Sequence, residues 1–314
     1  MNVIVEREKG LLELEQRIND LKAHTADQPV DLSNEIRALE EKYAQIQREI
    51  FGSMSPWQRV NMARHPKRPT GADYIAALDQ FDELHGDRHF RDDPAVVGGF
   101  AKLHGRRIMA IAQDKGHDVK EKVHRNFGMA TPEGYRKVAR LVELAAHLHL
   151  PVVTFIDTSG ADPGIGSEER VQSEAIAASL YTLADARTPI VASIIGEGGS
   201  GGALALALAD HVIMLQHSVY SVASPEGAAA ILWGDASKAE EAASRLRLTT
   251  EDLIRFGIAD EIVPEPMGGA HRDPAGTIAS LLDAIDAAIA RLSREPIDRL
   301  VARRYTKFRR IGST

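Results

Sequence analysis

The stretch P-I-V-A-S-I-I-G-E-G-G-S-G-G-A-L-A-L-A-L-A-D, residues 189–210, indicates the fold class. Its first eight residues are an apolar run typical of a buried strand, its middle is glycine-rich, and its last eight predict an apolar helix. A similar run, P-V-V-T-F-I-D at 151–157, leads into the loop T-S-G-A-D-P-G-I-G and a predicted helix at 167–184. Two strand–loop–helix units in tandem predict an α/β core.

Five glycines lie within seven residues of this stretch: Gly196, Gly198, Gly199, Gly201 and Gly202. Glycine lets a backbone adopt positive φ and approach a ligand closely, because it has no Cβ. The helix that follows adds unpaired N–H groups and the positive end of its dipole. The turn therefore predicts an anion site, for a phosphate or for a transient oxyanion. The alternative is a tight turn that only packs against its neighbours.

The same turn has a second functional interpretation. Gly198 to Gly202 fits G-x-S-x-G, the nucleophile elbow of α/β-hydrolases, at the strand-to-helix position that the elbow requires. Ser200 would be the nucleophile, and Asp260 and His271 lie downstream to complete a triad. A pattern with three fixed positions arises easily in glycine-rich turns, so the hydrolase stays an alternative.

Other apolar runs extend the predicted core. Strands are expected at 95–103 and 107–113, turned at 104–105, and at 211–215 and 219–222. Helices are expected after Thr131-Pro132 and Ser224-Pro225, because Ser or Thr favours the N-cap and Pro the first helical position. The first of these should end near Leu148. A last helix is expected at 275–292, followed by a polar, basic tail.

The first 65 residues predict two helices with a narrow apolar seam. Apolar residues recur at alternating spacings of three and four, and Pro29, with Asp31 and Ser33 as candidate N-caps, predicts an antiparallel hairpin. We interpret this arm as a structural or subunit-packing element. The expected divisions are an arm at 1–69, a core at 70–266, and a C-terminal helix with a basic tail at 267–314. The seam residues are Leu11, Leu14, Ile18, Leu21, Ile36, Leu39, Tyr43, Ile46 and Ile50.

Composition excludes several classes of function. The chain has no cysteine, so thiolate catalysis and Cys-built metal sites are excluded. Histidine pairs at 85/89 and 147/149 lack a third ligand nearby, so no metal site is predicted, and Asp92-Asp93 is expected to form a turn or helix cap. A net charge of −7 argues against general nucleic-acid binding. No apolar run reaches membrane-span length and no secretion signal is visible, so a cytoplasmic protein is expected.

Several long motifs, in order, resemble the α subunits of bacterial acetyl-CoA carboxylase carboxyltransferases. The resemblance spans nearly the whole chain. It rests on F-D-E-L-H-G-D-R-H-F-R-D-D-P-A-V-V-G-G-F-A-K-L-H-G (81–105), N-F-G-M-A-T-P-E-G-Y-R-K-V-A-R-L (126–141), F-I-D-T-S-G-A-D-P-G-I-G-S-E-E-R-V-Q-S-E-A-I-A (155–177), I-G-E-G-G-S-G-G-A-L-A-L (195–206), Y-S-V-A-S-P-E-G-A-A-A-I-L-W (220–233) and P-E-P-M-G-G-A-H-R-D-P (264–274).

The resemblance implies a crotonase-like (ClpP/crotonase) fold, a spiral of β-β-α units. It implies one half of an α2β2 carboxyltransferase whose β partner carries a zinc ribbon, working with a biotin carboxyl carrier protein and, in the larger complex, biotin carboxylase. Such enzymes move CO2 from carboxybiotin to acetyl-CoA, a coenzyme A thioester, and form malonyl-CoA in the first committed step of fatty-acid synthesis. No metal is expected in this chain.

By motif match, the resemblance also implies site residues. The backbone of Gly201 and Gly202 would face the oxyanion of the biotin urea, with Gly198 and Gly199 shaping the turn. No side-chain base is obligatory, because the decarboxylated biotin can accept the methyl proton. The facing loop departs from the family pattern: Ser159 replaces a proline and Asp162 a common aromatic residue, whereas its glycines, including Gly160, remain.

A basic stretch at 114–140 has a local net charge of +3. The resemblance implies that it binds coenzyme A, because coenzyme A carries phosphates. Its candidate ligands are Lys115, Arg125, Arg136 and Lys137. A solvated charged face is the alternative.

Two further function classes remain open at this point. A self-sufficient crotonase-type hydratase or isomerase needs a carboxylate pair near the oxyanion site, whereas Ala203-Leu204 stands where many hydratases carry glutamate. A scaffold protein could instead gather partners through the helical arm and a second basic cluster at 303–310.

Overall fold

The computed structural model describes residues 3–27 and 32–312. Fourteen α-helices and eight strands occur in those residues, with 3₁₀ turns at Asn126–Gly128, Ala236–Lys238 and Ala270–Arg272. The elements are α1 Val3–Asp27, α2 Ser33–Phe51, α3 Pro56–Ala63, α4 Gly71–Ala76, β1 Gln80–Glu83, β2 Val96–Leu103, β3 Arg106–Gln113, α5 Val119–His124, α6 Pro132–His147, β4 Val152–Thr158, α7 Ile165–Glu169, α8 Gln172–Asp185, β5 Ile190–Gly199, α9 Ser200–Ala207, β6 His211–Leu215, β7 Val219–Ser221, α10 Pro225–Trp233, α11 Ala239–Leu246, α12 Thr250–Arg255, β8 Glu261–Val263, α13 Pro274–Leu292 and α14 Ile297–Arg310.

One mixed sheet forms the centre of the core. Its strand order is β1-β2-β3-β4-β5-β6-β8, with β7 pairing β5 beyond the end of β6. The strands from β3 onward are parallel, and β1 and β2 are antiparallel. Every residue of β4 and β5 is buried, which explains why both read as continuous apolar runs. The predicted α/β class is confirmed.

Helices cover both faces of the sheet. On one face, α6, α8 and α9 pack in a cluster that includes Tyr135, Leu141, Leu183 and Leu206. On the other face, α4, α13 and the start of α14 pack around Tyr74 and a row of leucines and isoleucines from 281 to 300. Because both faces are covered, the carboxyl ends of the parallel strands are where backbone groups can meet a ligand.

The helices differ from the prediction in two regions. The helix expected at 167–184 is two helices, α7 and α8, because Val171 between them adopts a left-handed φ of 65°. The basic tail forms α14, which the sequence analysis missed. Only Leu300 and Arg304 of α14 are buried. Its sequence is therefore mostly polar and lacks the apolar repeat that would have predicted a helix. Arg304 anchors α14, donating to Asp210 at 2.7 and 2.9 Å.

Strand β5 ends three residues later than predicted, and α9 begins three residues earlier. Residues 197–199 continue the strand because Glu197, Gly198 and Gly199 pair in register with β7. The turn is therefore tighter than the sequence suggested. Strand passes directly into helix between Gly199 and Ser200.

The N-terminal helices α1 and α2 pack on each other, and all nine predicted seam residues are buried or half-buried. The candidate cap Ser33 is wrong, because Leu32 precedes the helix and Ser33 is its first residue. Pro29 and Asp31 lie outside the described residues. The division of the chain at 69 and 266 stays a prediction.

The arm is fastened to the core by the loop before α13. His271 lies 3.0 Å from Glu8 of α1, whose other oxygen lies 3.1 Å from His65. Arg272 pairs with Glu15 at 2.6 Å and donates to the hydroxyl of Tyr43 at 2.9 Å. The arm thus packs on its own core through buried polar contacts. Among the described residues, no helix is both long and apolar enough to cross a membrane.

Candidate active site at the strand-to-helix glycine turn

The glycine turn, residues 196–202, lies where central strand β5 meets α9. Gly201 and Gly202 are the second and third residues of this helix. Amides at these positions have no acceptor within the helix, and the helix dipole places partial positive charge there. Backbone donors of this kind are suited to an anion or to an oxygen that becomes negative during a reaction.

The glycines are required for close packing, and the expectation that they adopt positive φ is wrong. None of the five has a left-handed φ, whereas Ser200 has a φ of 52°. A Cβ on Gly199 would lie 2.1 Å from the carbonyl oxygen of Ser159, and one on Gly202 would lie 2.5 Å from the carbonyl carbon of Gly160. The turn therefore sits directly against the loop that follows β4.

Gly201 differs from the other glycines of the turn. A Cβ there would meet only Ile176, at 3.8 Å, which is an ordinary van der Waals distance. By contrast, a Cβ on Gly196 would lie 2.5 Å from Asp157, and one on Gly198 would lie 3.0 Å from Tyr220. The space beside Gly201 is thus the part of the turn that packing leaves open.

The facing loop is held by Asp162, the residue that departs from the family pattern. Its carboxylate accepts hydrogen bonds from Asn126 and Ser167, and its backbone N–H donates to Ala130 at 3.0 Å. Its carbonyl accepts from Gln172 at 3.2 Å. Asp162 therefore fixes the shape of this loop in place of the rigidity that a proline at Ser159 would give.

A buried group of charges lies beneath the turn. The ammonium of Lys115 is 2.7 Å from Asp157 and 3.5 Å from Glu197. Burial alone lowers the pKa of Lys115, but the charges of Asp157 and Glu197 outweigh it and raise the pKa, so the ammonium stays charged. Burial raises the pKa of Glu197, and Lys115 with Arg64 outweigh it, so its pKa is lowered. The carboxylate of Glu197 is therefore ionised.

The four predicted coenzyme A ligands do not form one cluster. Lys137 is fully buried, and its ammonium donates to Asp92 at 2.9 Å and to the Val96 carbonyl at 2.8 Å. Lys137 as a phosphate ligand is therefore wrong: with its charge already compensated and no access to solvent, it is a structural residue.

The other three candidates keep partial access to solvent. The side chains of Lys115, Arg125 and Arg136 are 20%, 25% and 22% exposed. Each also has protein partners: Arg125 lies 2.8 Å from Asp114, and Arg136 donates to the Arg170 carbonyl at 3.1 Å. Of the three, Lys115 alone lies at the glycine turn. Their contact with coenzyme A stays a prediction.

The serine triad is wrong. Ser200 is exposed, but Asp260 accepts from the Val212 N–H at 2.7 Å and pairs with Lys307, and His271 lies against Glu8 of the arm. The three residues therefore belong to separate networks, although Ser200 does have the left-handed φ of an elbow serine.

Of the predicted turn or helix cap at Asp92-Asp93, the turn is confirmed. Asp93 accepts from the N–H groups of Ala95 and Thr131, which precedes α6, and from the Thr131 hydroxyl. Asp92 accepts from the Gly86 N–H and from Lys137.

Glu8, His65 and His271 have ligand atoms within 4.8 Å of one another, a spacing that could hold a metal ion. The hydrogen bonds favour another arrangement. The Lys67 N–H donates to Nδ1 of His65 at 3.2 Å, so the proton of a neutral His65 is on Nε2, which then donates to Glu8. A nitrogen that carries a proton does not bind metal, so this cluster fits a hydrogen-bonded clamp better than a metal site.

Three charged residues near the turn were missed by sequence reasoning: Arg64, Asp157 and Glu197. Glu197 lies inside the quoted glycine motif and Asp157 ends the quoted strand, so both positions were visible as charges within apolar runs. Arg64 lies 133 residues from Glu197 in sequence, and only the fold brings them together.

Solved structures share this fold. They include transcarboxylase 12S with methylmalonyl-coenzyme A bound (20% identity, TM-score 0.54, 69% of this chain and 40% of that chain). They also include the P. aeruginosa geranyl-CoA carboxylase beta subunit (18%, 0.55, 78% and 46%) and a Pseudomonas malonate decarboxylase hetero-tetramer in complex with coenzyme A (17%, 0.55, 67% and 84%). These likenesses show the class of fold, which is the crotonase-like fold that the resemblance implied.

Comparisons of sequence define the class further. A model of the acetyl co-enzyme A carboxylase carboxyltransferase-like family matches residues 4–312. Acetyl-coenzyme A carboxylase carboxyl transferase subunit alpha of Carboxydothermus hydrogenoformans is 49% identical over 99% of this chain and 97% of its own length. That of Pseudomonas paraeruginosa is 50% identical over 98% and 97%. The chain belongs to the acetyl-CoA carboxylase carboxyltransferase family.

Proposed function

We propose that this chain is the α subunit of an acetyl-CoA carboxylase carboxyltransferase in the cytoplasm. With its partners it transfers CO2 from carboxybiotin, held on a biotin carboxyl carrier protein, to acetyl-CoA and forms malonyl-CoA for fatty-acid synthesis. The observation that carries the proposal is the position of the Gly201 and Gly202 amides at the start of α9, beside open space. The family match over residues 4–312 supports it.

The chain's own chemical task is to hold negative charge. Carboxybiotin, when bound, supplies the CO2 and leaves charge on the oxygen of its urea. The amides of Gly201 and Gly202 donate to that oxygen, and the dipole of α9 adds to the attraction. Gly199 lets the turn approach the loop at Ser159 and Gly160, and Gly198 lets it pack against Tyr220 of β7. These contacts fix the direction of the donors. One such donor contributes about 3 kcal/mol to catalysis in comparable sites.

A second subunit completes the site. The thioester enolate is a second oxyanion, and we assign its donors to a β-type subunit with a zinc ribbon, in an α2β2 enzyme that works with biotin carboxylase. Three apolar side chains that follow the turn in the chain support such a partner: Val222, Ile231 and Leu232 are 78%, 81% and 64% exposed. Apolar side chains this exposed are typical of a protein interface when they form one patch.

Coenzyme A phosphates fit the basic stretch in part. Lys115, Arg125 and Arg136 are the remaining candidates, because each is partly exposed. Lys115 is the best placed, at the foot of the glycine turn. Its pairing with Asp157 limits it to a secondary contact with the substrate.

The test is co-purification with a β-type subunit, followed by an assay of malonyl-CoA decarboxylation with free biotin. We expect the two chains to form a complex that is active, and each chain alone to be inactive. Robust turnover by this chain alone would contradict the proposal, and so would an inactive complex with a β subunit known to be functional.

A further inference from the structure

Five charged residues form a chain of alternating charge beside the glycine turn, which we call the ion-pair chain. Its order is Asp157, Lys115, Glu197, Arg64 and Glu226. The first three are linked at 2.7 and 3.5 Å. Arg64 lies 2.5 Å from Glu197 and 2.6 Å from Glu226. The ion-pair chain thus joins the ends of β4 and β5 to the start of α10.

Arg64 connects two carboxylates that lie on different elements. Its Nε and Nη2 donate to Glu197 at 3.0 and 2.5 Å, and its Nη1 and Nη2 donate to Glu226 at 2.6 and 3.2 Å. Glu197 lies between two glycines of the turn, and Glu226 is in the first turn of α10. A guanidinium can bridge both carboxylates because its donors form a planar fork, which an ammonium lacks.

A second arginine holds the same strand close by. Arg68 donates from Nε to the Ile195 carbonyl at 2.7 Å and forms a buried pair with Glu265 at 2.6 and 2.8 Å. Between the two arginines, His65 contacts Glu8 of the arm. The segment 64–68 therefore contacts β5 at two points, Ile195 immediately before the turn and Glu197 within it.

We propose that Arg64 is a positioning residue for carboxyl transfer, which holds the glycine turn through Glu197 and links it to α10 through Glu226. This inference rests on the proposed function of the turn. Because the turn has no side chains of its own at the donor positions, its geometry depends on the residues that hold its backbone. Glu197 is the charged side chain within the turn, so the ion pair with Arg64 holds the turn through that residue.

The first test is Arg64→Lys in the complex with a β-type subunit. Lysine keeps the charge, but its ammonium lacks the planar fork with which Arg64 donates two hydrogen bonds to Glu197 and two to Glu226. We expect kcat for malonyl-CoA decarboxylation to fall about 10- to 100-fold, the usual effect of a displacement near 1 Å in a catalytic group. The KM for malonyl-CoA should stay near the wild-type value, because Arg64 binds protein carboxylates. A change in KM alone would overturn the inference, since it would make Arg64 a substrate ligand.

A second, milder variant keeps the proposal testable if Arg64→Lys does not fold. Glu226 is 40% exposed, so Glu226→Gln should fold normally and lower kcat in the same direction by a smaller factor. The matched control is Glu240→Gln, an exposed glutamate in the first turn of α11, which should retain the wild-type rate. Equal rates for Glu226→Gln, Arg64→Lys and the wild type would overturn the proposal.

Amide hydrogen exchange separates this inference from the proposed function. We expect exchange of the segment 197–206 to be about tenfold faster in Arg64→Lys, because loss of charge-assisted hydrogen bonds weakens the turn locally. If the wild-type complex proves inactive, the proposed function fails, and exchange still decides whether Arg64 positions the turn. Unchanged exchange in this segment would overturn the inference whatever the activity.

Discussion

At the scale of single residues, Ser200 combines features that point in opposite directions. Its φ of 52° is a conformation that costs a residue with a side chain about 1–3 kcal/mol, as at many functional sites. Yet the histidine and aspartate that would activate it are bound elsewhere in the fold. Ser200 is best explained as a spacer between glycines at the junction of β5 and α9.

This explanation predicts that Ser200→Ala retains carboxyl transfer in the reconstituted complex, within about twofold of the wild type. Alanine keeps the Cβ and the left-handed strain but removes the hydroxyl. Rates of malonyl-CoA decarboxylation and labelling by a serine-directed phosphonate would check it. Phosphonate labelling of the wild type that Ser200→Ala abolishes would restore the hydrolase interpretation.

Two neighbouring glycines should respond very differently to the same change. Gly202→Ala places a Cβ 2.5 Å from the backbone of Gly160, so the turn must move, and we expect a loss of about 2–3 kcal/mol in the free energy of unfolding. Gly201→Ala, with a 3.8 Å contact only, should leave the free energy of unfolding nearly unchanged. Urea denaturation of the two variants tests this. Equal destabilisation would show that Gly201 is packed as tightly as Gly202.

At the scale of elements, the arm and the core are joined by the clamp of Glu8, His65 and His271. Glu8→Ala leaves two buried imidazoles without their shared acceptor, and each unsatisfied group costs about 1–3 kcal/mol. We expect the free energy of unfolding to fall by about 2–5 kcal/mol. Chemical denaturation would measure it.

The control for this variant is Glu13→Ala on the same helix, at an exposed position. It should change the free energy of unfolding by less than about 0.5 kcal/mol. Equal effects of the two variants would mean that the clamp adds nothing beyond helix propensity.

Helices and strands were predicted correctly from sequence patterns where one face of the element, or the whole element, is buried. The seam of α1 and α2, the buried strands β4 and β5 and the proline-started helix α6 could all be predicted. Helix α14 could not, because Leu300 and Arg304 are its buried residues and the rest of its surface is polar. The break between α7 and α8 also escaped, because nothing in the composition marks Val171 as left-handed.

The glycine turn was predicted at a strand-to-helix junction, and the structure places it there, but the reason for its glycines was not predicted. The glycines were expected for positive φ, whereas none of them has it, and Gly199 and Gly202 instead allow close contact with the loop after β4. Lys137 failed as a ligand because burial depends on the fold and charge alone cannot reveal it. Arg64 was not predicted as part of the site, because its partners Glu197 and Glu226 are distant in sequence and only the fold brings them together.

At the scale of the whole molecule, stability should fall with acid. Burial raises the pKa of Glu8, but hydrogen bonds from His271 and His65 outweigh it and lower the pKa to about 2. The charge of Arg68 likewise outweighs burial and lowers the pKa of Glu265 to about 2. A carboxyl whose folded pKa lies below its ordinary 4.5 stabilises the protein above that pH and loses the effect as pH falls towards 2.

We therefore expect the free energy of unfolding to decline steadily as pH falls from about 4.5 towards 2. Buried His217, whose pKa is lowered to about 4, adds a smaller decline between its ordinary 6.5 and 4, because its protonation disfavours the folded state. Urea denaturation at a series of pH values checks this, with Glu8→Gln as the comparison. A slope below pH 4.5 that is as steep in the variant as in the wild type would contradict the assignment to Glu8.

In the proposed function, backbone donors of the glycine turn act within a two-subunit enzyme. The most direct test is the rate of malonyl-CoA decarboxylation by the reconstituted complex with Gly201→Val, after assembly with the β-type subunit has been verified. Because a Cβ at position 201 would meet only Ile176 at 3.8 Å, and the methyl groups beyond it would fill space beside the donor, we predict normal assembly and a rate about 100-fold or more below the wild type. A correctly assembled Gly201→Val complex that turns over at the wild-type rate would contradict the account.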